Sequence, residues 1–116
     1  MVEHLTVVLG SGAYQSERAF TALRFVLTAL VEGLKVDLFL VEDGVFVAKK
    51  GQNPIEFANV GELVTLAITE GANILTCGIC ARERGISEED LLEGITLGTM
   101  HDLVAWVKRS DRTLFM

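Results

Sequence analysis

A three-layer α/β/α sandwich built on a mostly parallel sheet is the fold this sequence predicts, and three observations predict it. Runs of strand type alternate with segments of helical periodicity, the pattern of βαβ units. The strand runs are apolar at consecutive positions, as in strands covered on both faces, rather than at every second position. Glycines or polar turns mark most junctions. The 116 residues are read as one domain, 1–116, long enough for a single core and too short for a second. No internal repeat, low-complexity segment or linker interrupts them.

Leu5 to Leu9 is the first strand, broken by Gly10-Ser11-Gly12. Ser16 follows as an N-cap, with Glu17 in the favourable first turn. Phe20, Leu23, Val26, Leu27, Leu30 and Val31 then recur at helical spacing, an amphipathic helix that Gly33 ends. Val36 to Val41 is the second strand, and Glu42-Asp43-Gly44 turns the chain at its end. Val45 to Ala48 reads equally as a short extended piece or one helical turn. Lys49-Lys50-Gly51-Gln52-Asn53-Pro54 is a polar loop holding the only proline.

Asn59 with Glu62 is a capping-box variant. It opens a second helix through Leu63, Leu66, Ala67 and Glu70, which Gly71 closes. Asn73 to Thr76 is the third strand, followed by a helix from Cys77 to Arg84 that stops at Gly85. Ser87 with Asp90 caps a short turn through Leu91 and Leu92, and Ile95 to Leu97 is a brief fourth strand. Thr99 with Asp102 opens the last helix, whose stripe is Leu103, Val104, Trp106 and Val107. Arg112 to Met116 is a closing strand.

The composition restricts function. The formal net charge is −6 and the basic residues form no long run, which argues against nucleic acid and against an anionic membrane surface. No apolar run is long enough to cross a bilayer. The opening Met1-Val2-Glu3-His4 lacks a signal-peptide pattern, and the two cysteines are spaced C-x-x-C. A reducing cytoplasm is therefore the expected setting, with reactive thiols rather than a disulfide framework. Half of the residues are hydrophobic and the mean hydropathy is +0.41. A domain this small cannot hide that much hydrocarbon alone, so a homo-oligomer is expected.

The sharpest site candidate is Cys77. The thiolate is the nucleophile of sulfur chemistry, and a helix start with nearby cations, here Arg82 and Arg84, favours it. The ordinary alternative is a buried small hydrophobe at a strand end. Cys80, one helical turn on, is a candidate second thiol: a resolving thiol, half of a metal site, or inert packing. Zinc needs about four ligands, and only His4 and His101 are available besides the cysteines, without ligand spacing. No metal is expected. Gly10-Ser11-Gly12 lacks the third glycine of a dinucleotide fingerprint, where Gln15 stands, and no Gly-Lys-Ser/Thr follows, so no cofactor is expected either. The loop can still line a pocket beside Cys77, with Tyr14 supplying a hydroxyl. Glu42 and Asp43 end the second strand with Lys49 and Lys50 beyond, either a functional carboxylate and cation or a solvated turn. His101 is read as a cap-region surface residue, and Phe20, Phe25 and Trp106 as core.

These features resemble the DsrE/DsrF-like family, and within it the small YchN-like group. The likeness runs through the Gly10 strand end and Tyr14-Gln15-Ser16-Glu17, Asp37-Leu38-Phe39-Leu40 with Asp43, and Gly51-Gln52-Asn53-Pro54. It continues in Cys77-Gly78-Ile79-Cys80 with Arg84-Gly85-Ile86-Ser87, then Gly94-Ile95-Thr96-Leu97-Gly98-Thr99, the Leu103 to Trp106 helix and Ser110-Asp111. The resemblance implies five or six strands and assembly as trimers, or hexamers of two trimers. It also implies a sulfur-relay role in which Cys77 carries a persulfide between donor and acceptor proteins, in a pocket near a subunit boundary. Gly44 stands where some relatives have alanine, a departure from which nothing is expected to follow.

The expected function is thus a small cytoplasmic sulfur carrier or sulfurtransferase. The backbone at Gly78 and Ile79 would stabilise the anion, Arg82 or Arg84 would add positive field, and Gly10, Tyr14 and Asp43 would line the pocket. The alternatives are thiol–disulfide exchange using Cys77 and Cys80, or a non-catalytic oligomer that binds a small ligand or a partner.

Overall fold

The computed structural model describes residues 2–116. Its sheet has five strands: β1 His4–Leu9, β2 Lys35–Leu40, β3 Asn73–Cys77, β4 Thr96–Gly98 and β5 Arg112–Phe115. They lie in the order β4-β3-β2-β1-β5, and every strand pair is parallel. The helices are α1 Arg18–Val31, α2 Val60–Thr69, α3 Gly78–Glu83 and α4 Met100–Arg109, with 3₁₀ segments at Glu42–Ala48 and Glu88–Asp90.

Strand order and handedness together decide which helix covers which face. From β1 through β4 the chain steps one way across the sheet, then returns over it to place β5 beside β1. Right-handed crossovers put helices of opposite steps on opposite faces. The buried residues separate accordingly. Leu5, Val7 and Leu9 of β1 and Leu38 and Leu40 of β2 pack with Leu23 and Val26 of α1 and with Val64 of α2. Val8, Phe39 and Cys77 pack with Leu103 of α4, joined by Trp106, whose ring meets Phe39 edge-on at 5.9 Å. Strand alternation is thus used fully, with both faces apolar. Helix α4, of ten residues, is the helix of the second face.

Two of the three expected capping boxes form. Ser87 with Asp90 and Thr99 with Asp102 each make both reciprocal bonds. Asn59 caps α2 by position but makes no side-chain bond there; its Nδ2 donates to the Gln52 carbonyl. Helix α1 starts at Arg18 with Glu17 as N-cap, so Glu17 precedes the first turn, while Ser16 still accepts the Arg18 N–H. Its apolar stripe is narrower than the spacing predicts: Val31 is 81% exposed and Phe25 lies outside the core.

The ambiguous stretch after β2 is a 3₁₀ helix that begins earlier than expected, at Glu42. Glu42 is the described non-glycine residue with left-handed backbone, φ 51°. Two residues on, Gly44 lies so close to β1 that a Cβ there would stand 2.2 Å from the Leu9 carbonyl oxygen. The obstacle is backbone and cannot rotate away. This tight approach holds the 3₁₀ segment against the carboxyl end of the sheet, where it meets α3.

Candidate functional site

Strand β3 alternates Asn73, Leu75 and Cys77 onto the α4 face, which sends the Cys77 side chain toward the smaller core. At Gly78 the chain leaves the sheet as α3, and Cys77 is the N-cap residue. Its sulfur accepts the Cys80 backbone N–H at 3.5 Å, one of the amides a helix start leaves unpaired. Beside it, Cys77 pairs with Gly98 of β4. There a side chain would strike Leu75 and Phe39, with a Cβ 3.0 Å from Leu75 Cδ1. Glycine at 98 therefore lets β4 lie flat against β3 beside the thiol.

The chains leaving these adjacent strands part to opposite faces. Helix α3 turns to the face of α1 and α2, where its Ala81 is buried, and α4 turns to the other. Adjacent strands whose connections diverge leave a crevice at their carboxyl ends, the usual ligand position in an open α/β sheet. A cavity of about 560 Å³ lies there, lined by Gly78, Ile79, Cys80 and Arg82 on the α3 side and by Leu97 to His101 on the β4–α4 side. Cys77 is 5% exposed and lines that cavity.

Cys80 is half-buried and packs against both cores. Burial pushes its thiol above the ordinary value of 9.0; the Glu42 backbone N–H directed at it pulls the other way, and the neighbouring Cys77 adds to the rise. Both thiols are free. Arg84 does not face the cavity. Its Nε donates to Asp43 at 2.9 Å and its Nη1 to the Cys80 carbonyl at 3.2 Å. Asp43 also accepts Gln15 Nε2 at 3.1 Å. The Arg84 guanidinium, then the Gln15 amide, hold the Asp43 carboxyl below its usual range.

The expected site residues therefore divide. Cys77, Gly78, Ile79, Cys80 and Arg82 share one cavity. Tyr14 and Asp43 line a separate one of about 390 Å³ with Gly12, Gln15, Phe46 and Gln52. Gly10 lines neither; its N–H donates to the Met116 carbonyl. The cause is sheet order. The β1–α1 loop follows a strand two places from β3, and the Glu42–Ala48 segment packs between that loop and α3. Tyr14 instead donates to Gln52 and stacks edge-on to Phe57.

His101, expected to be a surface cap residue, joins Cys77 in the cavity. Helical spacing does not reveal this placement; sheet order does. A fourth strand parallel to the third and ending just before Thr99 brings the following residues beside Cys77. Among the described residues, no group of three or more His, Cys, Asp or Glu side chains comes together that could hold a metal ion.

A model of the DsrE/DsrF-like family matches residues 3–116. The MK0008 protein of Methanopyrus kandleri is 56% identical over 114 residues, covering 98% of this chain and 94% of that protein. Protein YchN of Escherichia coli K12 is 28% identical over 115 residues, covering 97% of this chain and 98% of that one. The crystal structure of the ychN protein from E. coli superposes with a TM-score of 0.89 at 30% identity, over the whole of both chains.

Proposed function

The chain belongs to the DsrE/DsrF-like family, which is associated with sulfur relay, and from that premise we propose that it carries sulfur as a persulfide on Cys77. The single observation that carries this reading is the placement of Cys77. It lines a cavity at the crevice between β3 and β4, with a backbone N–H on its sulfur. Free thiols that serve only as packing need no such opening.

The Cys77 thiolate attacks the outer sulfur of a donor persulfide, the donor leaves as a thiol, and an acceptor thiolate later removes the same sulfur. The Cys80 N–H supports negative charge on the Cys77 sulfur in each anionic state. Arg82, on the same cavity, adds positive field, whereas Arg84 is committed to Asp43. Gly78 and Ile79 serve by forming the turn into α3.

The protein acts in the cytoplasm as a homo-oligomer, a trimer or a hexamer, between sulfur-donating and sulfur-accepting proteins. No helix of the described residues is long and apolar enough to cross a membrane. Mass spectrometry after incubation with a persulfide donor tests the reading. One sulfur atom is added per chain, lost in Cys77→Ser and kept in Cys80→Ser; addition that survives Cys77→Ser rejects it.

A further inference from the structure

The cavity around Cys77 has a one-sided lining. Its ionisable side chains other than the thiols are Arg82 and His101, and no carboxylate lines it. In a chain with 16 acidic and 10 basic residues, that runs against the overall balance. Arg84, Arg109 and Arg112 are each engaged by a carboxylate. Arg82 is in no ion pair among the described residues. It bends back along α3 until its Nη1 lies 3.7 Å from where a Cβ on Gly78 would stand, directly over the residue that follows Cys77. His101 reaches the same cavity from α4, and Ile79, Leu97 and Met100 complete its lining.

Resting on the persulfide reading, we infer that this cavity accepts a small sulfur oxyanion of the thiosulfate class as the sulfur donor, with Arg82 and His101 holding its oxygens. The Arg82 guanidinium and a ring N–H of His101 suit an anion whose oxygens face them while its outer sulfur faces the thiol. Cys77 first gives its thiol proton to water. The thiolate attacks the outer sulfur of thiosulfate and forms a new S–S bond. The S–S bond of thiosulfate breaks, its electron pair leaves with sulfite, and Cys77 carries the persulfide. One thiolate and one dianion give one persulfide anion and one dianion, so charge and atoms balance with no external oxidant or reductant.

The test compares sulfur donors and alkylating agents of different charge on wild-type protein, Arg82→Gln and His101→Gln. Both side chains are exposed, so neither substitution disturbs the core. Lys108→Gln, on an exposed residue of α4 outside the cavity, controls for overall charge. Each protein is incubated with thiosulfate, and separately with a small alkyl hydropersulfide. Sulfur on Cys77 is read by mass and sulfite is measured in solution. Wild-type protein is expected to take sulfur from thiosulfate and release one sulfite per sulfur bound. Arg82→Gln should slow this about two- to fivefold, the size of one exposed charge contact to an anion. The ratio of iodoacetate to iodoacetamide alkylation at Cys77 should fall in parallel, while Lys108→Gln keeps the wild-type ratio. Sulfur uptake from the hydropersulfide but not from thiosulfate overturns the oxyanion assignment and leaves the persulfide reading standing. Uptake from neither overturns both. Equal slowing of iodoacetate and iodoacetamide in Arg82→Gln, or a matching fall in Lys108→Gln, also overturns the assignment.

Discussion

Arg84 and Asp43 meet at 2.9 Å and tie α3 to the 3₁₀ segment after β2. The same guanidinium donates to the Cys80 carbonyl, so the contact fixes the cysteine helix from its far side.

This ion pair gives the protein an acid-sensitive clamp. Asp43 titrates below its ordinary value of 3.8 because Arg84 and then Gln15 bond its charged form. A depressed folded value means the clamp contributes fully above pH 3.8 and is lost as pH falls through the lowered value. Asp43→Asn should therefore flatten the acid limb of stability against pH while changing Tm at neutral pH by a few degrees at most, since the pair is partly exposed. Asp90, lowered by the Ser87 backbone N–H, behaves in the same sense and remains in both proteins. Thermal melts between about pH 2.5 and 7 bracket the ordinary carboxylate range; an unchanged acid limb in Asp43→Asn would remove the clamp.

Cys80 has the opposite dependence. Its thiol is raised above 9.0, first by burial, so the unfolded chain loses this proton at lower pH than the folded one. Stability from this group is complete below pH 9.0 and falls as pH rises from there through the raised value. Cys80→Ala should remove that alkaline loss. Correspondingly, iodoacetamide should modify Cys80 with a midpoint above 9.0, read residue by residue from peptide masses over a pH series. Modification of Cys80 with a midpoint below the ordinary thiol value would contradict its burial.

Gly44→Ala tests the contact that positions the clamp. Its new Cβ would lie 2.2 Å from the Leu9 oxygen and 3.0 Å from the Leu9 carbonyl carbon. Neither atom can move without shifting β1, so the cost should be about 3 kcal/mol or more, at the upper end for overpacked sites. Chemical denaturation measures it. Because Asp43 precedes Gly44, the variant should also speed Cys80 alkylation as the 3₁₀ segment lifts from α3. A loss under about 0.5 kcal/mol, the range of ordinary surface changes, would show that the backbone there yields freely.

Much of this architecture was legible because short-range rules carried it. The apolar runs at Leu5 to Leu9 and Val36 to Val41, and the boxes at Ser87/Asp90 and Thr99/Asp102, depend on residues close in sequence. Cys77 was legible because a strand end followed by glycine and helix is itself a local pattern. What was lost depended on sheet order. Tyr14 belongs with Phe57 and Gln52 because β1 lies two strands from β3, and His101 belongs with Cys77 because β4 lies beside it. Neither adjacency is written in spacing. Asn59 caps by position alone, and its Nδ2 donates to the Gln52 carbonyl in the preceding loop, a contact that no capping pattern announces. Gly44 hides a long-range contact in the same way: its crowding comes from Leu9.

The second face of the sheet yields the last prediction. Helix α4 buries Leu103 and packs Trp106 against the sheet. Met100, Val104 and Val107 follow one another at helical spacing on a neighbouring stripe and stay exposed, with Val104 at 55%. Phe115, on edge strand β5, is 77% exposed. A helix face turned toward water is expected to be polar, and an exposed apolar stripe of this kind is a surface that a partner subunit would cover. The homo-oligomer proposed above would use them. The wild-type mass in solution should then be a trimer or hexamer of the 12.6 kDa chain. The double variant Val104→Lys and Val107→Lys should release monomers, because burying two uncompensated ammonium groups costs several kcal/mol. Both positions are exposed in the single chain, so the variant's circular dichroism should match wild type while its mass falls. Light scattering after size exclusion reads both species. A wild-type protein that runs as a monomer at micromolar concentration would leave the stripe without the role assigned to it.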